Sequence, residues 1–327
     1  MARPPVRVVP RLRAQLLAWY DRNRRDLPWR RARHPYRVWV SEIMLQQTRV
    51  AVVQERYRDF LRRFPNLRAL AAARRADVLA AWSGLGYYRR ARTMHRAARL
   101  LVRERGGRFP RSAAELRALP GIGRYTAAAI ASIAFGEPAA VVDGNVERVL
   151  RRLLGAPGKG AHASLWEAAG ELISQHRPGD FNQAMMELGA TVCLPRVPLC
   201  AACPLAAWCR TRGALEPAPR LRRRKRQIAY GLAVTPRAVY LMRRPERASL
   251  MPGMWELPEI AQNQAAVPAV LAMLRHAITS TDYTVRVVAL DGTRPGGGRW
   301  IPRSRLASLP LTGLTRKILR NTGLLES

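Results

Sequence analysis

The chain has 327 residues, enough for two domains of roughly 150 residues each and for a sizeable buried core. Its 57 Lys+Arg against 22 Asp+Glu leave a formal net charge of +35, which points to a polyanion, nucleic acid first and an acidic membrane second. There is no apolar run of about 18 residues, and the start, MARPPVRVVPRLR, lacks an apolar signal core; this excludes a transmembrane helix and predicts a cytoplasmic, reducing location.

From about residue 11 to 212 the apolar residues recur at three- and four-residue spacing, so helices are predicted. They cover LRAQLLAWY (12–20), YRVWVSEIMLQQTRVAVVQERYRDFLRRF (36–64), RADVLAAWSGL (75–85) and RARTMHRAARLLVRER (90–105). The breaks RHP, FPN, GLGYY, RGGRFP and LPGIG separate them, which predicts an all-α bundle of short helices.

Within this region Glu42 stands among apolar residues in VSEIMLQQT, either as one charge on a solvated helix face or as a carboxyl with work to do. Gln46 and Gln47 follow, with amides suited to base edges or simply exposed. GLGYYRRAR (84–92) offers adjacent tyrosines among glycines and arginines, for stacking on a base or for plain core packing. LPGIGRYT (119–126) follows the helical SAAELRAL. Gly121 and Gly123 permit a tight turn with exposed N–H groups, and the next helix adds its positive dipole end. The unit reads as helix–hairpin–helix, a phosphate holder or an ordinary interhelical turn. Asp143, in AVVDGNVERVL, is an N-cap or a second active carboxylate. Two separated carboxyls, one protonated for the leaving group and one ionised beside an oxocarbenium-like centre, suit cleavage of a glycosidic bond.

Cys193, Cys200, Cys203 and Cys209 follow in the spacing C-x6-C-x2-C-x5-C. In a reducing compartment this favours thiolate–metal ligation over disulfides. Zinc and a [4Fe–4S] cluster both suit four cysteines; the single C-x2-C knuckle favours iron–sulfur.

GALEPAPRLRRRKRQ (213–227) is a proline-bearing basic linker, solvated or touching DNA. Beyond it the period becomes two. IAYGLAVT, AVYLMRR and YTVRVVAL read as strands and VPAVLAMLR (267–275) as a helix, an α+β domain over 228–327.

The motifs RDLPWR (25–30), SEIMLQQT (41–48), WSGLGYYRRAR (82–92), LPGIGRYTAAAI (119–130), VVDGNVERVL (141–150) and NQAMMELGATVC (182–193), with the four-cysteine loop, stand in one order. Together they make the chain resemble the MutY-type adenine DNA glycosylases of the helix–hairpin–helix superfamily. The resemblance implies a multi-domain protein: an all-α catalytic region over 1–212, with a six-helix module over about 35–142 and an iron–sulfur module from 1–34 plus 143–212. The linker over 213–227 and a C-terminal Nudix-like mispair-recognition domain over 228–327 complete it. It implies a [4Fe–4S] cluster on the four cysteines. The implied activity is flipping adenine mispaired with 8-oxoguanine or guanine out of double-stranded DNA and hydrolysing its N-glycosidic bond. A monomer with no membrane partner, in the bacterial cytoplasm at the nucleoid, is expected.

By the same resemblance Glu42 matches the general acid, Asp143 the carboxylate that stabilises the oxocarbenium ion, and Asn145 a neighbour of that site. Tyr125 matches a tyrosine set against the two acids. Trp29, Arg30, Leu45 and Glu187 match the adenine pocket; Gln47 and Tyr87 match the residues that wedge into the duplex. The similar endonuclease III-type glycosylase/lyases carry a nucleophilic lysine where this chain has Tyr125, so base excision without efficient strand cleavage is expected. A bifunctional glycosylase/lyase is the alternative. LMRRPERASLMPGMWELPE (241–259) and RWIPRSRLASLPLTGLTRKIL (299–319) are similar to the Nudix-like module, without the Glu-rich helix of a nucleotide hydrolase. Where the family's Phe-Ser-His recognises 8-oxoguanine, this chain has Ile278, Thr279 and Ser280; Thr279, or Ser280 in a shifted register, keeps a hydroxyl there.

Overall fold

The computed structural model describes residues 8–155, 162–213, 223–260, 269–278, 281–290 and 295–325. The chain divides into two compact units, one of residues 1–58, 66–71 and 96–218, the other of residues 59–65, 72–95 and 219–327. No helix among the described residues is long and apolar enough to cross a membrane.

The helical region runs α1 (Val9–Asn23), α2 (Pro35–Leu45), α3 (Val50–Arg63), α4 (Leu67–Ala72), α5 (Arg75–Ala81), α6 (Arg89–Arg105), α7 (Ala113–Leu116), α8 (Arg124–Phe135), α9 (Gly144–Leu154), α10 (His162–Leu172) and α11 (Pro178–Thr191). Proline enters α1, α2 and α11 in the first turn, where its missing N–H costs nothing. The single helix expected over 36–64 is two, α2 and α3. The chain breaks at Gln47, whose φ of 56° lies in the left-handed region and cannot continue a helix.

In the first unit α2 and α11 both pack on α8, and α11 also lies against α1 and α9. Alanines 127, 128, 129 and 131 are buried on α8 and let its neighbours approach. On α11 the approach is closer still: a Cβ at Gly189 would stand 2.6 Å from Asn145 Cβ, so glycine sets the α9–α11 distance. α2 is buried nearly all round, from Tyr36 to Met44.

The second unit carries two sheets. One is ordered β4-β1-β6-β5, with β1 (Arg224–Leu232) parallel to β6 (Thr281–Ala289) and antiparallel to β4 (Glu259–Ile260); β5 (Val270–Ile278) pairs antiparallel with β6. The other is ordered β3-β2-β7, from β3 (Trp255–Glu256), β2 (Ala238–Arg243) and β7 (Gly298–Pro302). With α12 (Gly313–Asn321) they enclose Tyr230, Val239, Leu241, Val285, Val287 and Ile318. In the same unit Trp82 packs edge-on against Phe60.

Of the helix expected over 267–275, residues 267 and 268 lie outside the described residues and residues 270–275 belong to the strand β5. Ala, Leu and Met favour helix locally, but pairing with β6 decides the outcome. Burial then alternates along it: Leu274 is buried while Met273 and Arg275 are exposed. β1 starts at Arg224, so the last basic residues of the expected linker are strand.

Candidate active site and cysteine cavity

Glu42 sits in the last turn of α2 and is 5 % exposed, so it is not a charge on a solvated face. Tyr125, at the start of α8, reaches it: the phenol Oη donates to Glu42 Oε2 at 2.8 Å, and Met186 Sδ of α11 lies 3.1 Å from the same oxygen. Burial pushes the Glu42 carboxyl from 4.5 to about 7. The Tyr125 hydrogen bond and the Arg30 charge oppose that rise, and the Asp143 charge adds to it. Glu42 can therefore hold a proton near neutral pH. Burial, then the Glu42 and Asp143 carboxyls, push the Tyr125 phenol well above its ordinary value, so it remains a hydrogen-bond donor.

Asp143 is an N-cap and an active-site carboxylate candidate at once. Its Oδ1 accepts from Asn145 N at 2.9 Å and Val146 N at 2.7 Å, capping α9. Its Oδ2 is left with the longer contact from Asn145 Nδ2, 3.4 Å. Burial raises the Asp143 carboxyl above its ordinary value, although the cap bonds from Val146 and Asn145, at the positive end of α9, favour the ionised form.

Asn145 Oδ1 in turn accepts from Arg148 at 2.8 Å, and Arg148 also donates to Cys193 O at 2.8 Å and Gly189 O at 2.6 Å.

Of the residues expected in the adenine pocket, Arg30 and Glu187 meet in the same unit. Glu187 of α11 accepts from Arg25 Nε at 2.8 Å, Arg25 N at 3.0 Å and Arg25 NH2 at 2.8 Å, and from Arg30 NH2 at 2.8 Å. Burial pushes its carboxyl up, but these bonds and charges outweigh burial and hold it at about 2. Glu187 is thus a fixed anion. Arg30 lies over the Tyr20 ring, 5.5 Å from its centroid, and Trp29 meets Tyr57 edge-on at 5.6 Å. Leu45 ends α2, half-buried.

The two glutamines separate. Gln46 Nε2 donates to Thr126 Oγ1 at 3.3 Å, tying α2 to α8, whereas Gln47 is exposed on its left-handed backbone. The tyrosine pair of the second unit separates too: Tyr87, φ 46°, is 47 % exposed with Arg90 over its ring, while Tyr88 is buried and donates to Leu311 O at 3.0 Å. At the hairpin only Gly121, φ 77°, needs left-handed backbone. Gly123 is extended, and a Cβ there would meet nothing within 4 Å. Its bare surface faces out, at the N-terminus of α8. Thr279 and Ser280 lie outside the described residues.

The four cysteines line one small, partly open cavity, with Val192, Leu199 and Ala206 among its apolar walls. Among the described residues no three metal-binding side chains are placed to hold one metal ion. Arg152 of α9 is 2 % exposed and donates to Cys193 Sγ at 3.2 Å, Leu194 O at 2.7 Å and Pro195 O at 2.9 Å. Among the described residues it has no carboxylate partner. A buried cation calls for a nearby anion, and metal-bound thiolates fit that need.

Arg25, Met186, Arg148 and Arg152 are the residues that sequence reasoning missed. Arg152 carried a signal: it stands three residues after the buried Val149, on the apolar stripe of α9 where a solvated arginine does not belong.

A profile described as HhH-GPD superfamily base excision DNA repair protein matches residues 40–175. The chain is 37 % identical over 401 aligned positions to a Mus musculus protein named adenine DNA glycosylase, covering 95 % of this chain and 78 % of that protein. It is 51 % identical over 221 residues to the Homo sapiens protein of that name, covering 64 % of this chain; it spans only 40 % of the human protein. Among solved structures, a thermostable thymine-DNA glycosylase superposes with a TM-score of 0.58 at 31 % identity, over 63 % of this chain and 98 % of that one.

Proposed function

The chain belongs to the adenine DNA glycosylase family, and from that premise we propose that it flips adenine mispaired with 8-oxoguanine or guanine out of duplex DNA and hydrolyses its N-glycosidic bond. The observation that carries this reading is the buried Glu42 carboxyl, held near neutral pKa and hydrogen-bonded to Tyr125. Glu42 gives its proton to the departing adenine. Asp143, held by its cap at the head of α9, stays ionised beside the positive charge that develops on the sugar. Flipping costs a few kcal/mol, least at a mispair, which contributes selectivity. Trp29, Arg30, Leu45 and Glu187 line the adenine pocket, Gln47 and Tyr87 enter the duplex, and the hairpin with Gly121 and Gly123 holds the backbone.

The group that meets Glu42 from α8 is a phenol and not an amine, which supports a monofunctional enzyme. Cys193, Cys200, Cys203 and Cys209 would hold a [4Fe–4S] cluster, which would tie down the loop and supply negative charge beside Arg152; the Arg152–Cys193 contact supports that reading. The second unit's sheets serve as a Nudix-like reader of the base opposite adenine. The enzyme works as a monomer in the cytoplasm.

End-labelled duplexes with A opposite 8-oxoguanine, G or T test the reading, each reaction split and half heated in alkali. Alkali-dependent cleavage at the adenine of the first two, absent for the third, is the expected result. Cleavage without alkali returns the glycosylase/lyase reading. Absence of cleavage by protein with intact cluster absorbance overturns catalysis.

A further inference from the structure

The Tyr125 hydroxyl has two acceptors in reach, Glu42 Oε2 at 2.8 Å and Met186 Sδ at 3.1 Å. A phenol carries one hydrogen and serves one of them at a time. An ionised Glu42 is a charged, strong acceptor and takes that hydrogen. When the Glu42 proton sits on Oε2, that oxygen becomes the donor to the phenol oxygen, and the same bond no longer takes the Tyr125 hydrogen. The hydroxyl then needs another acceptor for its hydrogen, and the thioether, though weak, is in place.

We propose that Met186 is a positioning residue for the acid step: its sulfur takes the Tyr125 hydrogen while Glu42 is protonated, and the hydrogen swings to Glu42 Oε2 as the proton leaves. The proposal rests on Glu42 being the general acid. The Glu42 proton passes to a ring nitrogen of adenine, and the electron pair of the sugar–base bond stays with the base. Tyr125 keeps its own proton throughout, and only the direction of its hydrogen bond changes.

The gain is differential. The Tyr125–Glu42 bond strengthens as negative charge appears on Glu42, so it stabilises the transition state more than the ground state. Were Glu42 the sole acceptor, the tyrosine would donate to it continuously, favour the carboxylate and deplete the acid. The fold supplies the second acceptor through α11, where consecutive residues divide the work: Met186 turns to Tyr125, and Glu187 turns to Arg25 and Arg30. The charged and titratable groups facing Glu42 are Tyr125 from α8, Asp143 from the head of α9 and Arg30 from the turn before α2; Met186, from α11, is neutral.

The test is single-turnover excision from an A:8-oxoguanine duplex across the pH range around neutrality. It uses wild type, Met186→Leu, Tyr125→Phe and the double variant. Leucine conserves volume and removes the acceptor. In Met186→Leu, the limb on which the rate falls with rising pH should move about half a unit or more to lower pH, a roughly threefold or greater loss above the limb. In the Tyr125→Phe background the same change should leave the limb where it is. An unmoved limb in Met186→Leu, or an equal shift in both backgrounds, overturns the proposal and leaves Met186 as packing.

A second readout needs no catalysis. In protein carrying ¹³C-methyl methionine, the Met186 resonance, assigned by its loss in Met186→Leu, should titrate with the Glu42 limb in the wild type and not in Tyr125→Phe. A Met186 signal indifferent to pH, or one that titrates alike in both, overturns the proposal too. Separately, Glu42→Gln excising as fast as wild type removes the general acid beneath it.

Discussion

Arg25 grips Glu187 through both carboxylate oxygens, Nε to Oε1 and NH2 to Oε2, each at 2.8 Å, across 162 positions of sequence. The grip joins the segment before α2 to α11 and holds the Glu187 carboxylate in one orientation. Glu187 is fully buried, so the fork and the Arg30 contact together supply its counter-charge.

The Glu187 carboxyl is held at about 2 against an ordinary 4.5. Its depressed value means that the clamp's stabilisation is present above pH 4.5 and is lost as pH falls from there toward 2. For the whole clamp this is of order 3 kcal/mol at neutral pH. Arg25→Met should lower the unfolding midpoint at neutral pH, and its gap from wild type should shrink through that acid window. Urea titrations at a series of pH values measure it; a gap constant with pH contradicts it.

Glu42 has the opposite sign. Its folded value is raised from 4.5 to about 7, so the folded state binds its proton more tightly and loses stability as pH rises through that window. Glu42→Gln removes that loss. The variant should be more stable than wild type above neutral pH, by about 1–3 kcal/mol, while excision falls by roughly 10² or more. Unfolding curves above neutral pH, paired with single-turnover rates, check both halves.

Two glycines should respond differently to alanine. At Gly189 a Cβ meets Asn145 Cβ at 2.6 Å, so Gly189→Ala should force α11 from α9 and cost about 1–3 kcal/mol. At Gly123 nothing lies within 4 Å. Gly123→Ala should leave the unfolding midpoint nearly unchanged and weaken duplex binding, measured by fluorescence anisotropy, because the proposed hairpin contact with the DNA backbone needs a bare main chain there.

Arg152 lies buried against Cys193 Sγ without a carboxylate partner among the described residues. Arg152→Met should reduce the iron retained per chain and the visible absorbance of purified protein. Iron retained at the wild-type level would remove the electrostatic role assigned to Arg152.

The sequence by itself determined the helical first region, the two-residue periodicity of most strands of the second, and the candidate chemistry. Glu42 in an apolar run, Asp143 before a helix and four clustered cysteines are local patterns, legible because a motif's residue types and spacing survive without the fold. Tertiary structure decided what depends on pairing between distant segments. VPAVLAMLR has the composition of a helix, and its residues 270–275 became part of β5 because β6 offered a ladder. The helix over 36–64 broke at Gln47 because the turn there needs left-handed backbone. Arg25, Met186 and Arg152 acquired their roles only when α11 and the cysteine loop came back against segments 41 to 162 positions away. Local spacing does not encode such contacts; burial creates them, since each buried charge or polar group must find its partner wherever the packed chain brings one.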